Sequence, residues 1–323
     1  MIKKLLACLA GASLMALAPV HAQELKEMNF GILSTESSQN LKQDWQPVIN
    51  DMSRKLGIKV TAFFAPDYAG VIEGMRFNKV QFAWLGNKSA MEAVERANSE
   101  IFAQTINADG SLGYYSFVSV HKDSPYNTLD DIFRNAKNMS FGMGDPNSTS
   151  GFLVPSYYVF ALNNVNPKTA FKAVRGANHE TNIMAIANKQ VDAAVHSSDV
   201  LERIQTRQPD IASQLRQIWK SPLIASDPLV WRKDLPQDVK AKIKDFFLAY
   251  GKSGPDAARE RAQLNKLTLG GFQESSNAQL KPVRQLELFK EKIKLEADAN
   301  LQAEEKKTRL DDISRKLSEL AKS

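Results

Sequence analysis

The amino-acid sequence predicts an α/β protein with two lobes, two crossings between them and a helical tail. Three observations predict it. Short apolar runs alternate with amphipathic stretches from residue 28 onward; two strand-like segments followed by Asp, Ser or Pro lie more than 100 residues apart; and residues 283–323 contain neither Gly nor Pro.

The alternation begins with "MNFGIL", followed by Leu41, Trp45, Val48, Ile49, Met52 and Leu56 at helical spacing, and then "IKVTAFFA". A helical segment from Tyr68 to Phe77, the strand-like "VQFAWLG", a helix from Ser89 to Ala97 and "IFAQTI" continue it. Such alternation predicts parallel βαβ units with helices on both faces of a sheet. A second series follows "YYSFVSVHKDSPYNTLDDI": "NMSFGMG", a helix after Ser150, "AFKAV", a helix from about Glu180 to Asn188, and "VDAAVH".

If "YSFVSVHK" and "DPLVWRK" are both crossings, the first lobe is discontinuous. It takes residues 23–118 and 229–282, the second lobe takes 119–228, and 283–323 form a C-terminal helical extension. Two lobes crossed twice leave a cleft, and clefts at domain junctions are where small ligands bind. In the extension, Leu310, Ile313, Leu317 and Leu320 repeat at 3-4-3 spacing, and Leu286, Phe289 and Ile293 form a shorter stripe. Apolar stripes bury against something, either the chain's own lobe or a second subunit in a homodimer.

Residues 1–22, "MIKKLLACLAGASLMALAPVHA", read as a secretory signal peptide: a lysine pair, an apolar stretch and a small-x-small end. The apolar run, interrupted by Pro19 and His21, is too short for a membrane anchor. The single cysteine, Cys8, lies inside it, so the mature chain has no disulfide, no cysteine metal site and no thiol nucleophile. Removing Lys3 and Lys4 takes the formal charge from +6 to +4. Basic and acidic residues are interspersed, which argues against nucleic acid as a partner. A soluble exported protein is expected, and nothing in the pattern calls for a cofactor or a metal.

The segment "MGDPNSTSGFLVP" carries three consecutive hydroxyls, Ser148, Thr149 and Ser150, with no lysine or arginine. Ser and Thr at a helix start also serve as plain caps. Here, however, Pro155 has no N–H for Gly151 and would clash with its carbonyl, so the helix must begin near Gly151 or kink there. Hydroxyls at a helix mouth, beside a glycine that admits close approach, suit a phosphate, phosphonate or sulfate group. The Walker pattern with its lysine is missing, as is the G-x-S-x-G frame of a hydrolase. No H-E-x-x-H occurs, and the histidines are His21, His121, His179 and His196. A phosphoester hydrolase would need a metal site or a nucleophile with its base, and neither is evident.

Together "FGMGDPNSTSGFLVP", "RGANHETNIMAIANKQVDAAVH", "IWKSPLIASDPLVWRKDLP" and "GGFQESSNAQLKPVRQLELFK" resemble the periplasmic phosphonate-binding proteins of bacterial ABC importers, in order and with similar spacing over residues 24–290. The resemblance implies a periplasmic binding protein of type II, hinge-closing and without enzymatic activity. It would bind a small-molecule phosphonate, foremost 2-aminoethylphosphonate, and pass it to a membrane permease. It further implies that Ser148, Thr149, Ser150 and His179 hold the phosphonate, that Tyr68 and Tyr114 contribute from the first lobe, and that Asp199 and Asp227 hold the amine. Where a member of the family carries glutamate, this chain has Asp199, one methylene shorter. Taken singly, Asp227-Pro228 is a common turn, Asp199 a helix start, and each tyrosine an ordinary packing residue; jointly they supply an anion hole, acids and aromatic faces for a zwitterion. A phosphate or phosphite receptor and a ligand-sensing partner of a signalling protein remain as alternatives.

Overall fold

The computed structural model describes residues 25–298 and 300–322. The expected signal peptide lies outside the described residues.

The first sheet has six strands, in the order Leu269–Glu274, Ser99–Asn107, Pro228–Arg232, Phe82–Trp84, Glu27–Ile32 and Lys59–Phe64. The second has five: Leu215–Lys220, Ser116–His121, Ala193–Ser197, Ser140–Met143 and Ala173–Gly176. Alternation along Glu27–Ile32 shows how the first lobe forms. Met28, Phe30 and Ile32 point into a core with Trp45, Val48, Ile49 and Met52 of the helix Ser38–Leu56. The opposite face of that sheet packs Val71 and Met75 of the helix Tyr68–Arg76 and Ala90 and Ala93 of the helix Asn87–Arg96. Fully burying one such large apolar side chain contributes about 1.5–3 kcal/mol.

The expected parallel βαβ units account for three strands in each sheet. Glu27–Ile32 pairs parallel with Lys59–Phe64 and Phe82–Trp84, and Ser140–Met143 pairs parallel with Ala173–Gly176 and Ala193–Ser197. The other strands join antiparallel. The physical reason lies in the crossings: Pro228–Arg232 and Ser116–His121 enter from the other lobe and run opposite to the strands on either side. Ser99–Asn107 and Leu215–Lys220, reached through helices of their own lobe, still run parallel to Phe82–Trp84 and Ala193–Ser197 with a crossing strand inserted between. The chain changes sheets beside a two-stranded ribbon, in which Tyr114 pairs with Ile224 and Gly113 with Ala225.

The tail forms two helices, Lys281–Ala297 and Ala303–Lys322. Val283, Leu295 and Ile313 are buried, and Leu286 packs against clusters that contain Tyr114, Val154 and Leu33. Leu310, Leu317 and Leu320 are only half-buried, and Phe289 is 40% exposed. Part of each stripe therefore packs on the chain itself. Among the described residues no helix is long and apolar enough to cross a membrane.

Candidate functional site

A small cavity lies between the lobes, lined by Leu33, Thr35, Tyr68, Gly86, Tyr114, Ser148, Thr149, Ser150, His179, Ser197, Asp199 and Asp227. All eight residues singled out in the sequence are on its wall.

The hydroxyl end is built by an unusual turn. Thr149–Leu153 and Ser156–Phe160 are π-helical, one on either side of Pro155, and Ser148 caps the first by accepting from Gly151 N at 2.9 Å. Proline cannot donate to the Gly151 carbonyl, which accepts instead from Gly144 N at 2.8 Å. Leu153 N reaches back five residues to Ser148 O at 3.0 Å. The kink expected from Pro155 thus takes the form of a widened helix, a feature frequent at functional sites. A methyl on Gly151 would lie 2.9 Å from Ser148 Oγ and 3.0 Å from His179 Cε1, so only glycine lets the turn sit against the histidine. The three hydroxyl residues are each 2% exposed.

His179 opens the helix His179–Ala187, and its Nε2 lies 3.5 Å from both Ser148 Oγ and Ser150 Oγ. Burial lowers its pKa from 6.5 to about 4, so the ring is neutral at pH 7. No lysine or arginine lines the cavity. An anion here would be met by hydroxyl donors, by the open N–H groups of a helix start and by a neutral imidazole.

The acidic end is formed from both lobes. Asp199 lies in the first turn of the helix Ser198–Arg207, and Asp227 immediately precedes the strand Pro228–Arg232. Asp199 Oδ1 and Asp227 Oδ1 are buried and have no hydrogen-bond partner. Burial, then the Asp199 charge, holds the Asp227 carboxyl well above the usual carboxylate range, although a bond from the Tyr114 phenol opposes the shift. Burial likewise pushes both phenols upward, helped by Asp145 and Asp227 at Tyr68 and by Asp227 and Asp199 at Tyr114, so both stay neutral donors. Unpaired acceptors in a dry site favour a cation or a proton.

Sequence reasoning missed Leu33, Thr35, Gly86 and Ser197 on this wall. Thr35 Oγ1 and Ser197 Oγ are buried without a partner, and Gly86 caps the helix Asn87–Arg96. A signal for them existed. Thr35, Gly86 and Ser197 lie at or just beyond the carboxyl ends of Glu27–Ile32, Phe82–Trp84 and Ala193–Ser197, where open α/β sheets bind ligands.

The lobes meet around the cavity: Lys88 N donates to Thr149 Oγ1 at 2.8 Å, Tyr68 N to Asp145 Oδ2 at 3.1 Å, and Ser37 N to Glu180 Oε2 at 2.6 Å. The cleft is closed.

Residues 30–280 match the family described as ABC transporter, phosphonate, periplasmic substrate-binding protein. The chain belongs to this family. It is 52% identical over 322 residues to the phosphonates-binding periplasmic protein of Escherichia coli strain K12, covering 98% of this chain and 94% of that one. A crystal structure of the binding-protein component of a phosphonate ABC transporter from Pseudomonas aeruginosa superposes with a TM-score of 0.89 at 53% identity, covering 93% of this chain and 98% of the other. A Prochlorococcus marinus protein solved with methylphosphonate shares the fold, with a TM-score of 0.71 at 22% identity over 82% of this chain and 99% of that one. The fold is that of the type II periplasmic binding proteins. Members of the family are substrate-binding components of transporters rather than enzymes, and a periplasmic location follows from membership.

Proposed function

We propose that this protein captures 2-aminoethylphosphonate in the cleft between its lobes and delivers it to the permease of an ABC importer. One observation carries the reading: a single cavity has a charge-free hydroxyl and helix-start end opposite an acidic end whose two carboxylates each keep an unpaired buried oxygen. A zwitterion with an anion at one end and an ammonium at the other satisfies both. In this reading Ser148, Thr149, Ser150 and His179 receive the phosphonate, Asp199 and Asp227 the amine, and Tyr68 and Tyr114 enclose the connecting carbons. Export through a cleaved signal at residues 1–22 brings the protein to its substrate. The P. marinus relative bound to methylphosphonate supports the phosphonate half of this assignment and is silent on the amine.

Calorimetric titration with 2-aminoethylphosphonate, ethylphosphonate, methylphosphonate, phosphite and phosphate tests it. The amino ligand is expected to bind best, because without an ammonium Asp199 and Asp227 each keep a buried oxygen with no partner and the Asp199 charge stays uncompensated in the closed cleft. Exchanging both aspartates for asparagine should sharply weaken 2-aminoethylphosphonate and spare ethylphosphonate. Equal affinity of the parent for those two ligands would reject the amine assignment and favour a simpler oxyanion.

A further inference from the structure

The helix Ser198–Arg207 carries Asp199, Arg203 and Arg207 at four-residue spacing, so their side chains stack along one face. That face meets the first lobe. Arg203, 5% exposed, donates from Nε to Glu36 Oε1 at 2.6 Å and from one terminal nitrogen to Thr268 Oγ1 at 3.2 Å and the Leu267 carbonyl at 3.4 Å. Its other terminal nitrogen donates to Asp199 Oδ2 at 3.4 Å. Arg207 bonds Asp44 Oδ2 at 3.0 Å and also grips Glu36, which is 2% exposed. The carboxylate that faces the cavity through Oδ1 is thus tied through Oδ2 to a guanidinium whose remaining partners lie across the cleft.

Charge makes this tie conditional. Glu36, Asp44, Asp199 and Asp227 supply four negative charges against two positive ones from Arg203 and Arg207, leaving −2. A proton on Asp227 reduces that to −1. Water screens the remainder while the lobes are apart; once they close, an uncompensated buried charge is costly. An ammonium between Asp199 and Asp227 brings the cluster to neutrality.

Building on the reading of the cavity as an aminophosphonate site, we propose that the Glu36–Arg203 pair determines specificity by making closure depend on a cation at Asp199 and Asp227. A phosphonate without an amine then occupies the hydroxyl end but leaves the lobes apart, so the amine is read through closing as well as through direct contact.

The decisive variant is Glu36→Gln. It removes one negative charge, so the cluster is neutral with Asp227 protonated and no cation is required; the amide oxygen still accepts from a guanidinium. The ratio of the ethylphosphonate Kd to the 2-aminoethylphosphonate Kd should fall at least tenfold, and ethylphosphonate should reduce the radius of gyration of this variant but not of the parent. A purely structural role would weaken both ligands alike and leave the ratio unchanged, which would overturn the proposal. So would a parent that closes equally on both ligands. Asp44→Asn, at the far end of the cluster, makes the same charge change and should shift the ratio in the same direction; it decides the matter if Glu36→Gln does not fold. A parent that binds neither phosphonate would remove the reading of the main cavity. Binding of both with an invariant ratio across the variants would remove only the conditional closure.

Discussion

Thr149 illustrates how one side chain serves both lobes. Its Oγ1 accepts from Lys88 N at 2.8 Å across the cleft, which leaves its own hydrogen to point at an anion. If Thr149 holds the phosphonate, Thr149→Ala deletes a bond to a charged group, a loss of about 1.5–3 kcal/mol. Phosphonate affinity should drop roughly tenfold to a hundredfold in titration calorimetry, and an unchanged Kd in a folded variant would remove Thr149 from the site. The buried histidines give a second residue-scale prediction. His179 and His196 each have a pKa depressed from 6.5 to about 4, chiefly because burial strips water from the imidazolium. Between those values the unfolded chain binds protons that the folded chain does not. Stability is therefore complete above pH 6.5 and falls as the pH drops toward 4, by up to about 3 kcal/mol for each residue. Urea midpoints measured at pH 7, 5.5 and 4.5 should decrease in that order. Replacing His196, which bonds Ser119 Oγ at 2.8 Å away from the hydroxyl cluster, with a neutral residue should flatten part of the slope.

At the scale of elements, the widened helix after Ser148 decides where the hydroxyls point. Gly151→Ala would drive a methyl against Ser148 Oγ and His179 Cε1, displacing the cap and the imidazole together. Ligand affinity should fall at least tenfold while the thermal midpoint moves by only a few degrees; a variant with parental affinity would show that the turn tolerates the methyl. Proline chemistry made part of this turn legible in advance, because Pro155 forbids the Gly151 bond wherever the segment lies. The π form was not legible: a five-residue pairing leaves no hydrophobic period, and Ser156–Phe160 reads like any apolar helix. The same contrast runs through the molecule. Met28, Phe30 and Ile32 announce a strand by alternation, and Leu41, Trp45, Val48 and Met52 announce its covering helix. The antiparallel pairs arise where a strand entering from the other lobe is inserted beside strands of the local units, which no local pattern encodes. The ion cluster was equally hidden, since Glu36 and Arg203 are 167 residues apart and each resembles an ordinary surface charge. Thr35, Gly86 and Ser197 could have been found from the carboxyl ends of strands, but their small side chains carry no chemical signal of their own.

At the scale of the whole molecule, the C-terminal hairpin carries an apolar side that its own lobe covers only in part. The helix Lys281–Ala297 belongs to the binding unit, because Leu286 packs against the cluster of Tyr114, Val154 and Ile224 beside the crossing. The helix Ala303–Lys322 is different. Ile313 is 2% exposed, yet Leu310, Leu317 and Leu320 on the same stripe are only half-covered. Met91, Leu288 and Leu320 line a wide groove that it forms with the helices Asn87–Arg96 and Lys281–Ala297. A partly covered apolar stripe on a charged helix is suited to meeting its own copy about a two-fold axis, where each stripe completes the other. If this helix dimerises, truncation after Asp298 should yield a monomer in sedimentation velocity, while the full chain sediments as a dimer at micromolar concentration. Phosphonate affinity should be unchanged by the cut, because all eight candidate contacts lie between Tyr68 and Asp227. Two results separate the alternatives. A full-length monomer would mean that the stripe serves only its own lobe. A truncated dimer would place the interface elsewhere, with the face around Phe289, 40% exposed and 6.2 Å from Tyr157, as the next surface to mutate.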